Sequence, residues 1–419
     1  MLILLIIAGM GLFSFRLAGD GAKWASSRVN GNVYASGRLT RGEIFSREGE
    51  LLIEYSAGGP QYSEDPEVRK ATVHLIGDKN GNVGGGVSAI YREDLIGYSL
   101  AEGVASGGKL SLSVSSELSK AALRALDGRN GAVGVVNYKT GEILCMVSAP
   151  AFDPEGDGTD VEDGAYINRL TGAAFTPGSV FKLVTMAAAI DNIPDLYGRS
   201  FTCSGEAEIG GTRIACTHAH GDMKIEDALA RSCNCVFASL SYELGAEIMS
   251  RYAEGLGITQ SFDIDGIGTA KGSYDGSGEL LPWSGAGQGK DLAVPASLLR
   301  LVSAVANEGF AQDFTFLCGG SGGSTRLLSA DTAQKLKSAM SYSVYLTYGR
   351  ENFPGLSLAA KSGTAEVGGG KAPNAWFVGF STDESFPVAF AVLIENGGSG
   401  TLEAGKAANE LLQEAKKLF

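Results

Sequence analysis

The chain begins with a long run of hydrophobic residues. Residues 1–15 are uncharged and almost wholly apolar, and Arg16 ends this run. A membrane-spanning helix needs about 20 apolar residues, and a signal peptide normally begins with a basic segment that is missing here. We therefore favour a membrane anchor over residues 1–18, with its upstream part absent, above a signal peptide or a buried core helix. A polar helix or linker is expected over residues 17–36.

The pattern becomes mixed after this segment. Residues 41–52 alternate apolar and charged positions around Gly42 and Gly49, which predicts short strands and turns. Residues 57–107 are glycine-rich with weak periodicity, and Ser106-Gly107-Gly108 has the composition of a linker. We expect a small mixed domain over residues 19–109, of a pedestal or dimerisation-like kind.

Residues 110–419 form the predicted main domain. Period-two alternation and β-rich runs predict strands at 110–114, 132–137, 142–148, 356–367, 375–381 and 386–395. Helix-like spacing is found at 117–126, 178–190, 225–244, 296–307 and 403–419. Strands from both ends therefore build one sheet, with helices on its faces and a mostly helical region inserted over residues 165–345. The fold class is α/β in the broad sense (α+β).

The amino-acid composition argues against several classes of function. The 419 residues hold 47 acidic and 34 basic side chains, a net charge of −13 with no basic cluster, which argues against nucleic-acid binding. The three histidines are too few for chemistry that depends on several imidazoles. His218 and His220 are interpreted as polar loop residues and not as ligands. No organic cofactor is expected.

The six cysteines contain no C-x-x-C pair, which argues against a zinc site, and we expect no metal. Cys203 and Cys216 flank a predicted hairpin that turns at Gly210-Gly211. Counting outward places them on one face but diagonal to each other, near the upper distance limit for a disulfide. A disulfide and two buried free thiols both remain open.

Three short motifs occur in order along the main domain. They are Ser179-Val180-Phe181-Lys182, Ser232-Cys233-Asn234 and Lys361-Ser362-Gly363-Thr364. Each alone is weak, since a second S-x-x-K begins at Ser106 and a K-T-G begins at Lys139. Context selects the first set, because an apolar helical run follows Ser179 and places Lys182 one turn later on the same face.

This placement suits nucleophilic catalysis. A serine hydroxyl needs a base to accept its proton, and a lysine amine can do so when burial and the helix dipole disfavour its ammonium form. Backbone N–H groups at the helix start and at Thr364 can form an oxyanion hole, worth about 3 kcal/mol per donor. Structural roles, such as a helix cap at Ser179, are the alternative for each residue taken singly.

The other two motifs complete the site. Ser232 can relay a proton between the lysines and a leaving amine, and Asn234 can bond Lys182 and the substrate backbone. On a strand, Lys361 and Gly363 share one face, while Ser362 and Thr364 share the other and suit a substrate carboxylate. The missing side chain of Gly363 is expected to let a ligand lie against the strand edge.

The sequence resembles the class B penicillin-binding proteins, which are monofunctional peptidoglycan transpeptidases. The likeness covers about residues 37–419 and rests on RGEIFSREGELL, GAVGVVNYKTGEILCMVSAPAFDP, TPGSVFKLVT, ALARSCNCVF, GAGQGKDLAVPASLLRLVSAVANEG and KSGTAEVGGGKAPNAWFVGF. The resemblance implies a penicillin-binding or serine β-lactamase-like fold, with an antiparallel sheet, helices on both faces and a helical subdomain. It assigns Ser179 as the nucleophile and Lys182 as its base.

The implied reaction is acyl transfer from a stem pentapeptide ending in D-Ala-D-Ala, with β-lactams acylating the same serine. The resemblance also implies a membrane glycosyltransferase partner, a single anchor with the catalytic domain outside the membrane, and service in elongation, division or sporulation. A serine β-lactamase or β-lactam sensor, and a scaffold without activity, are the alternatives. A carboxypeptidase side activity is also open.

Overall fold

The computed structural model describes residues 1–35, 38–84, 86–99, 103–104, 107–156, 158, 161–320 and 322–419. Its helices are α1 Leu2–Ala25, α2 Pro66–Ile76, α3 Val87–Ile90, α4 Arg92–Leu95, α5 Ser116–Ala125, α6 Lys182–Asn192, α7 Ile225–Ala230, α8 Asn234–Gly255, α9 Leu281–Gly285, α10 Pro295–Ala306, α11 Ala330–Ser343 and α12 Gly405–Ala415. Ser106, which begins both the predicted linker and the second S-x-x-K, lies outside the described residues.

The strands of the described residues are β1 Tyr34–Ala35, β2 Arg38–Leu39, β3 Glu43–Phe45, β4 Leu51–Ser56, β5 Gly59–Tyr62, β6 Tyr98–Ser99, β7 Gly103–Val104, β8 Lys109–Ser111, β9 Gly131–Asn137, β10 Ile143–Ala149, β11 Phe201–Cys203, β12 Glu206–Ile209, β13 Thr212–Ala215, β14 Gly221–Met223, β15 Asp263–Ile264, β16 Ile267–Gly268, β17 Phe310–Gln312, β18 Ser324–Arg326, β19 Leu358–Ala365, β20 Asn374–Ser381 and β21 Val388–Ile394.

Helix α1 is longer than the apolar run that predicts it. The helix continues through Arg16 and Asp20, which form an ion pair of 3.3 Å one turn apart. The helix has 24 residues, and its most apolar stretch of 18 residues has a mean hydropathy of 2.1. None of this stretch is buried against the rest of the protein. Within the described part of the chain, α1 is the one helix long and apolar enough to cross a bilayer, because it continues beyond the 15-residue apolar run.

The region before residue 110 contains the predicted short strands around a small sheet. Its order is β5-β4-β3-β8, and β8 pairs in parallel with β3. The strand predicted at 110–114 ends early at Ser111, because the chain then crosses to another neighbour, and the Ser113 amide donates to the Phe316 carbonyl at 2.7 Å. The first part of that predicted strand thus belongs to the small sheet.

A five-stranded sheet organises the rest of the chain. Its order is β10-β9-β21-β20-β19, and every neighbouring pair is antiparallel. Strands β9 and β10 are the predicted hairpin, and the largely helical region lies between β10 and β19. The prediction of one sheet built from both ends of the main domain is confirmed.

Both faces of this sheet are covered, because its strands are apolar at successive positions. On β21, Phe390 and Val392 belong to a core cluster shared with α5 and α12. Ala391 and Leu393 face the opposite way and join the cluster that includes α6, α8 and α10. The prediction of helices on both faces is confirmed. Strand β19 is left at the sheet edge, beside the first turn of the α6 segment.

The helix predicted over residues 225–244 is broken. Helix α7 ends at Ala230 and α8 begins at Asn234. Between them, Ser232 adopts a positive φ of 55°, a conformation that cannot continue a helix. The break places Ser232 and Cys233 between the two helices and Asn234 at the start of α8, with the Ser232 hydroxyl in contact with Lys361 on the edge strand β19.

Candidate active site

Ser179 lies in the first turn of a helix, as its sequence context predicts. A 3₁₀ turn, Gly178–Phe181, leads directly into α6. Gly178 has φ of 55°, and a Cβ there would lie 2.9 Å from the Thr364 carbonyl oxygen. The turn therefore requires glycine both for its conformation and for its close approach to β19. Lys182 follows one turn later, with its Nζ 3.0 Å from the Ser179 Oγ.

The Lys182 amine is completely buried and surrounded by oxygen atoms. Its Nζ donates to the Ser232 carbonyl and to the Asn234 Oδ1, both at 2.7 Å. A neutral amine has two N–H groups, and these two acceptors occupy both. The remaining lone pair is then free to accept the proton of the Ser179 hydroxyl. Burial lowers the pKa of Lys182 to about 8, which favours this form.

The second motif connects the two lysines. The Ser232 Oγ lies 3.2 Å from the Lys182 Nζ and 3.1 Å from the Lys361 Nζ. Asn234 is held from behind, because its Nδ2 donates to the Ala215 carbonyl at 2.9 Å. The amide oxygen is thereby oriented toward Lys182, and the hydroxyl of Ser232 lies between two amines.

The third motif lies on β19 with the predicted alternation. Lys361 is completely buried, and its pKa is lowered by burial and by the charge of Lys182. Ser362 and Thr364 are on the opposite, accessible side. The Ser362 amide donates to the Tyr348 hydroxyl at 2.9 Å, away from β20. Because strand N–H groups alternate in direction, the Thr364 amide points to the same open edge.

The missing side chain of Gly363 does not leave the room for a ligand at the strand edge that the sequence predicted. Gly363 is buried, and a Cβ at this position would lie 2.9 Å from the Pro177 carbonyl oxygen and 3.1 Å from the Val180 Cγ1. The absent side chain therefore lets the 3₁₀ turn that carries Ser179, the catalytic turn, pack against β19. The expectation that this space is open to a ligand is wrong, because the turn fills it, and the side of the strand that lines the groove carries Ser362 and Thr364.

A groove of about 560 Å³ joins the three motifs, and Ser179, Ser232, Asn234, Ser362 and Thr364 all line it. Lys182 and Lys361 are buried next to the groove and do not line it. Further lining residues were missed from the sequence, including Arg231, Trp283, Gln288 and Glu366. Gln288 could have been noted, because it lies in the GAGQGK segment, and its Nε2 donates to the Thr364 carbonyl at 3.3 Å.

Comparison with known proteins decides the family. The family model of the penicillin binding protein transpeptidase domain matches residues 131–416. The chain belongs to this family. The resemblance inferred from the motifs, to class B penicillin-binding proteins, is thereby confirmed.

Relatives of this penicillin-binding protein include the peptidoglycan D,D-transpeptidase PbpA of Mycolicibacterium smegmatis, 23% identical over 96% of this chain and 85% of the relative. Stage V sporulation protein D of Bacillus subtilis is 29% identical over 64% of this chain and 46% of its own length. The imipenem acyl-enzyme complex of penicillin-binding protein A from M. tuberculosis has a TM-score of 0.78 at 22% identity, covering 90% of this chain and 98% of that one. The expected fold is confirmed, and so is the expected enzyme class, a serine transpeptidase.

The cysteines of this penicillin-binding protein differ from their predicted arrangement. Cys203 pairs with Gly221 on the β11–β14 ladder, outside the β12–β13 hairpin, so it is not a diagonal neighbour of Cys216. All six cysteines are free thiols. The Cys216 Sγ instead lies 3.7 Å from that of Cys233 and 3.5 Å from that of Cys235.

His220 lies in the loop between β13 and β14, as predicted, but it is not a solvent-exposed residue. Its side chain is buried, and the Nδ1 lies 3.4 Å from the Cys203 Sγ. His218, whose ring is 4.3 Å from that of His220, remains exposed as expected. The two histidines differ in burial, since His220 directly precedes β14 and contacts Cys203 at the end of β11.

Proposed function

We propose that this chain is a D,D-transpeptidase that cross-links peptidoglycan stem peptides through an ester on Ser179. The observation that carries the proposal is the buried Lys182 amine. It lies 3.0 Å from the Ser179 Oγ, while two other acceptors occupy its N–H groups. This is the arrangement that a serine nucleophile needs when no histidine assists it.

The first half of the reaction forms the acyl-enzyme. The Ser179 hydroxyl gives its proton to the neutral Lys182 and its Oγ bonds to the carbonyl carbon of the penultimate D-Ala. The amides of Ser179 and Thr364 donate to the oxyanion. The C–N bond then breaks, and the leaving D-Ala amine takes a proton from Lys182 through the Ser232 hydroxyl. Lys361, in contact with the same hydroxyl, keeps this relay oriented.

The second half transfers the acyl group. An amine of a neighbouring stem peptide attacks the ester carbonyl and loses a proton to Lys182 through the same relay. The ester C–O bond breaks, and the Ser179 Oγ recovers its proton from Lys182. The free enzyme returns with no net change in protonation. Water in place of the amine would give carboxypeptidase activity.

The edge strand β19 supplies the binding surface for the donor peptide. Its open side presents the Thr364 amide and the hydroxyls of Ser362 and Thr364 to the groove. An extended peptide can add to this edge by backbone hydrogen bonds. The terminal carboxylate of the substrate, or that of a β-lactam, would lie against the two hydroxyls near the Lys361 charge.

Three segments of the chain have separate roles. Residues 1–18 act as the membrane anchor, residues 19–109 as a small pedestal domain and residues 110–419 as the transpeptidase domain. The exposed apolar helix α1 supports the anchor. Since peptidoglycan is assembled outside the membrane, the catalytic domain is placed there too, where a membrane glycosyltransferase would supply glycan strands.

The test uses the purified full chain with lipid-linked precursor and a membrane glycosyltransferase. Mass spectrometry should detect cross-linked stem peptides and free D-Ala with wild type, and neither with Ser179→Ala. Ser204→Ala, at an exposed serine outside the groove, is the matched control. Rapid turnover of a chromogenic cephalosporin would indicate a β-lactamase instead. Absence of labelling by fluorescent penicillin would indicate a scaffold.

A further inference from the structure

Four potential metal ligands converge beside the second motif, although they are scattered in sequence. They are Cys203 at the end of β11, Cys216 after β13, His220 before β14 and Cys233 in front of α8. One ligand atom from each lies within 4.8 Å of all the others. Within the described parts of the chain, no other group of this kind is found.

The distances match a tetrahedral metal site. Bonds of about 2.3 Å to sulfur and about 2.0 Å to nitrogen place neighbouring ligand atoms roughly 3.5 to 3.8 Å apart. The Cys216 and Cys233 sulfurs are 3.7 Å apart, and the His220 Nδ1 is 3.4 Å from the Cys203 sulfur. These two distances fit a tetrahedral site, and the remaining separations, all within 4.8 Å, would require side-chain movements of about 1 Å or less to reach bonding distance.

The surroundings suit thiolate ligands. Cys203, His220 and Cys233 are buried, with 2%, 6% and 0% of their surface exposed. The amide of Cys235 donates to the Cys216 sulfur at 3.4 Å, the kind of outer contact that orients a metal-bound thiolate. Two buried thiols, the half-buried thiol of Cys216 and a buried imidazole form a polar cluster that a cation would stabilise.

We propose that Cys203, Cys216, His220 and Cys233 bind one Zn²⁺ ion in a closed, four-coordinate structural site. Three thiolates and one imidazole are a donor set that zinc prefers and that magnesium and calcium do not. On binding, the three thiols release their protons to solvent, and no redox change occurs. The missing C-x-x-C pair does not weigh against this proposal, because the fold and not the spacing assembles the ligands.

The ion would position the second motif without touching substrate. Cys233 lies between Ser232 and Asn234, and none of the four ligands lines the groove. Asn234 also donates to the carbonyl of Ala215, the residue before Cys216. Zinc would therefore fasten the start of α8 to the loop after β13, holding Ser232 and Asn234 against Lys182. Metal content does not depend on the proposed catalytic function.

The experiment measures zinc in the full-length chain, purified in detergent with reductant and without chelators. We expect about one zinc per chain in wild type by plasma mass spectrometry, and at least a tenfold loss in Cys203→Ser, Cys216→Ser and Cys233→Ser. Cys318→Ser and Cys235→Ser are the matched controls and should retain the ion. Cobalt in place of zinc should give the intense visible bands and the sulfur charge-transfer band of a tetrahedral thiolate site.

A second measurement protects the test against variants that fail to fold. Removing zinc from wild type with a chelator should lower the melting temperature and the rate of penicillin labelling. Added zinc should restore both, whereas added magnesium should not. Three results would overturn the proposal: no zinc retained by reduced wild type after exposure to zinc, a Cys216 disulfide with Cys233 or Cys235, or loss of zinc in Cys235→Ser with retention in Cys203→Ser.

Discussion

The Lys361 Nζ lies 3.1 Å from the Ser232 Oγ, joining residues 129 positions apart. The same hydroxyl is 3.2 Å from the Lys182 Nζ. Both amines are thus connected through one oxygen, and each is buried where its charged form is costly. The contact links the second and third motifs, as the proposed proton-transfer path requires.

Replacing the base should be far more damaging than replacing an exposed lysine. We expect Lys182→Ala to slow acylation by penicillin about 10³-fold or more, because nucleophile and base act as a unit. The control is Lys139→Ala, which alters the exposed K-T-G of the β9–β10 turn. The rates of penicillin labelling of the two variants, measured by stopped flow or on gels, test this prediction. Equal rates for the two variants would contradict the assigned role of Lys182.

Acylation should increase with pH. The active form of Lys182 is the neutral amine, and burial lowers its pKa to about 8. The rate constant should therefore rise about tenfold per pH unit below that value and level off above it. Measurements of benzylpenicillin acylation between about pH 6 and pH 9 test this. A rate that falls over the same interval would be incompatible with a neutral lysine base.

Asn234→Asp should move that pH profile. The substitution keeps the shape of the side chain but places a carboxylate where an amide oxygen now lies 2.7 Å from the Lys182 Nζ. A negative charge there raises the pKa of Lys182, so acylation at neutral pH should fall about tenfold per unit of pKa. The loss should be recovered at higher pH, and Asn80→Asp, at an exposed position, should leave the profile unchanged.

A uniform loss at every pH in Asn234→Asp would instead indicate damage to the fold of the site. Thermal unfolding of the variant, compared with wild type at the same pH, separates the two cases. An unchanged melting temperature with a shifted profile would support the electrostatic role of Asn234.

Gly363→Ala should separate the catalytic turn from β19. The new methyl group would lie 2.9 Å from the Pro177 carbonyl oxygen, which belongs to backbone and cannot rotate away. Overpacking of this kind costs about 1–3 kcal/mol. We expect a lower melting temperature and slower acylation. Gly268→Ala, where a Cβ meets nothing within 4 Å, is the control, and similar behaviour of the two variants would contradict the packing role.

Local chemistry in this protein could be predicted from the sequence because it depends on short separations. Ser179 and Lys182 are three residues apart, so helical geometry alone brings their side chains together. The alternation along β19 likewise separates Lys361 and Gly363 from Ser362 and Thr364. The sheet could be predicted for the same reason, since its strands and covering helices each carry their own apolar period.

The tertiary structure decided which surfaces these local patterns meet. Periodicity places Gly363 on one face of β19, but only packing shows that this face meets the catalytic turn. The sequence spacing of the three clustered cysteines, Cys203, Cys216 and Cys233, does not indicate a site, because they belong to three separate elements that meet only in the folded chain. Arg231 and Trp283 enter the groove for the same reason. Contacts between distant segments depend on how helices and strands dock, and that information lies in the summed packing of the whole core and not in any single stretch of chain.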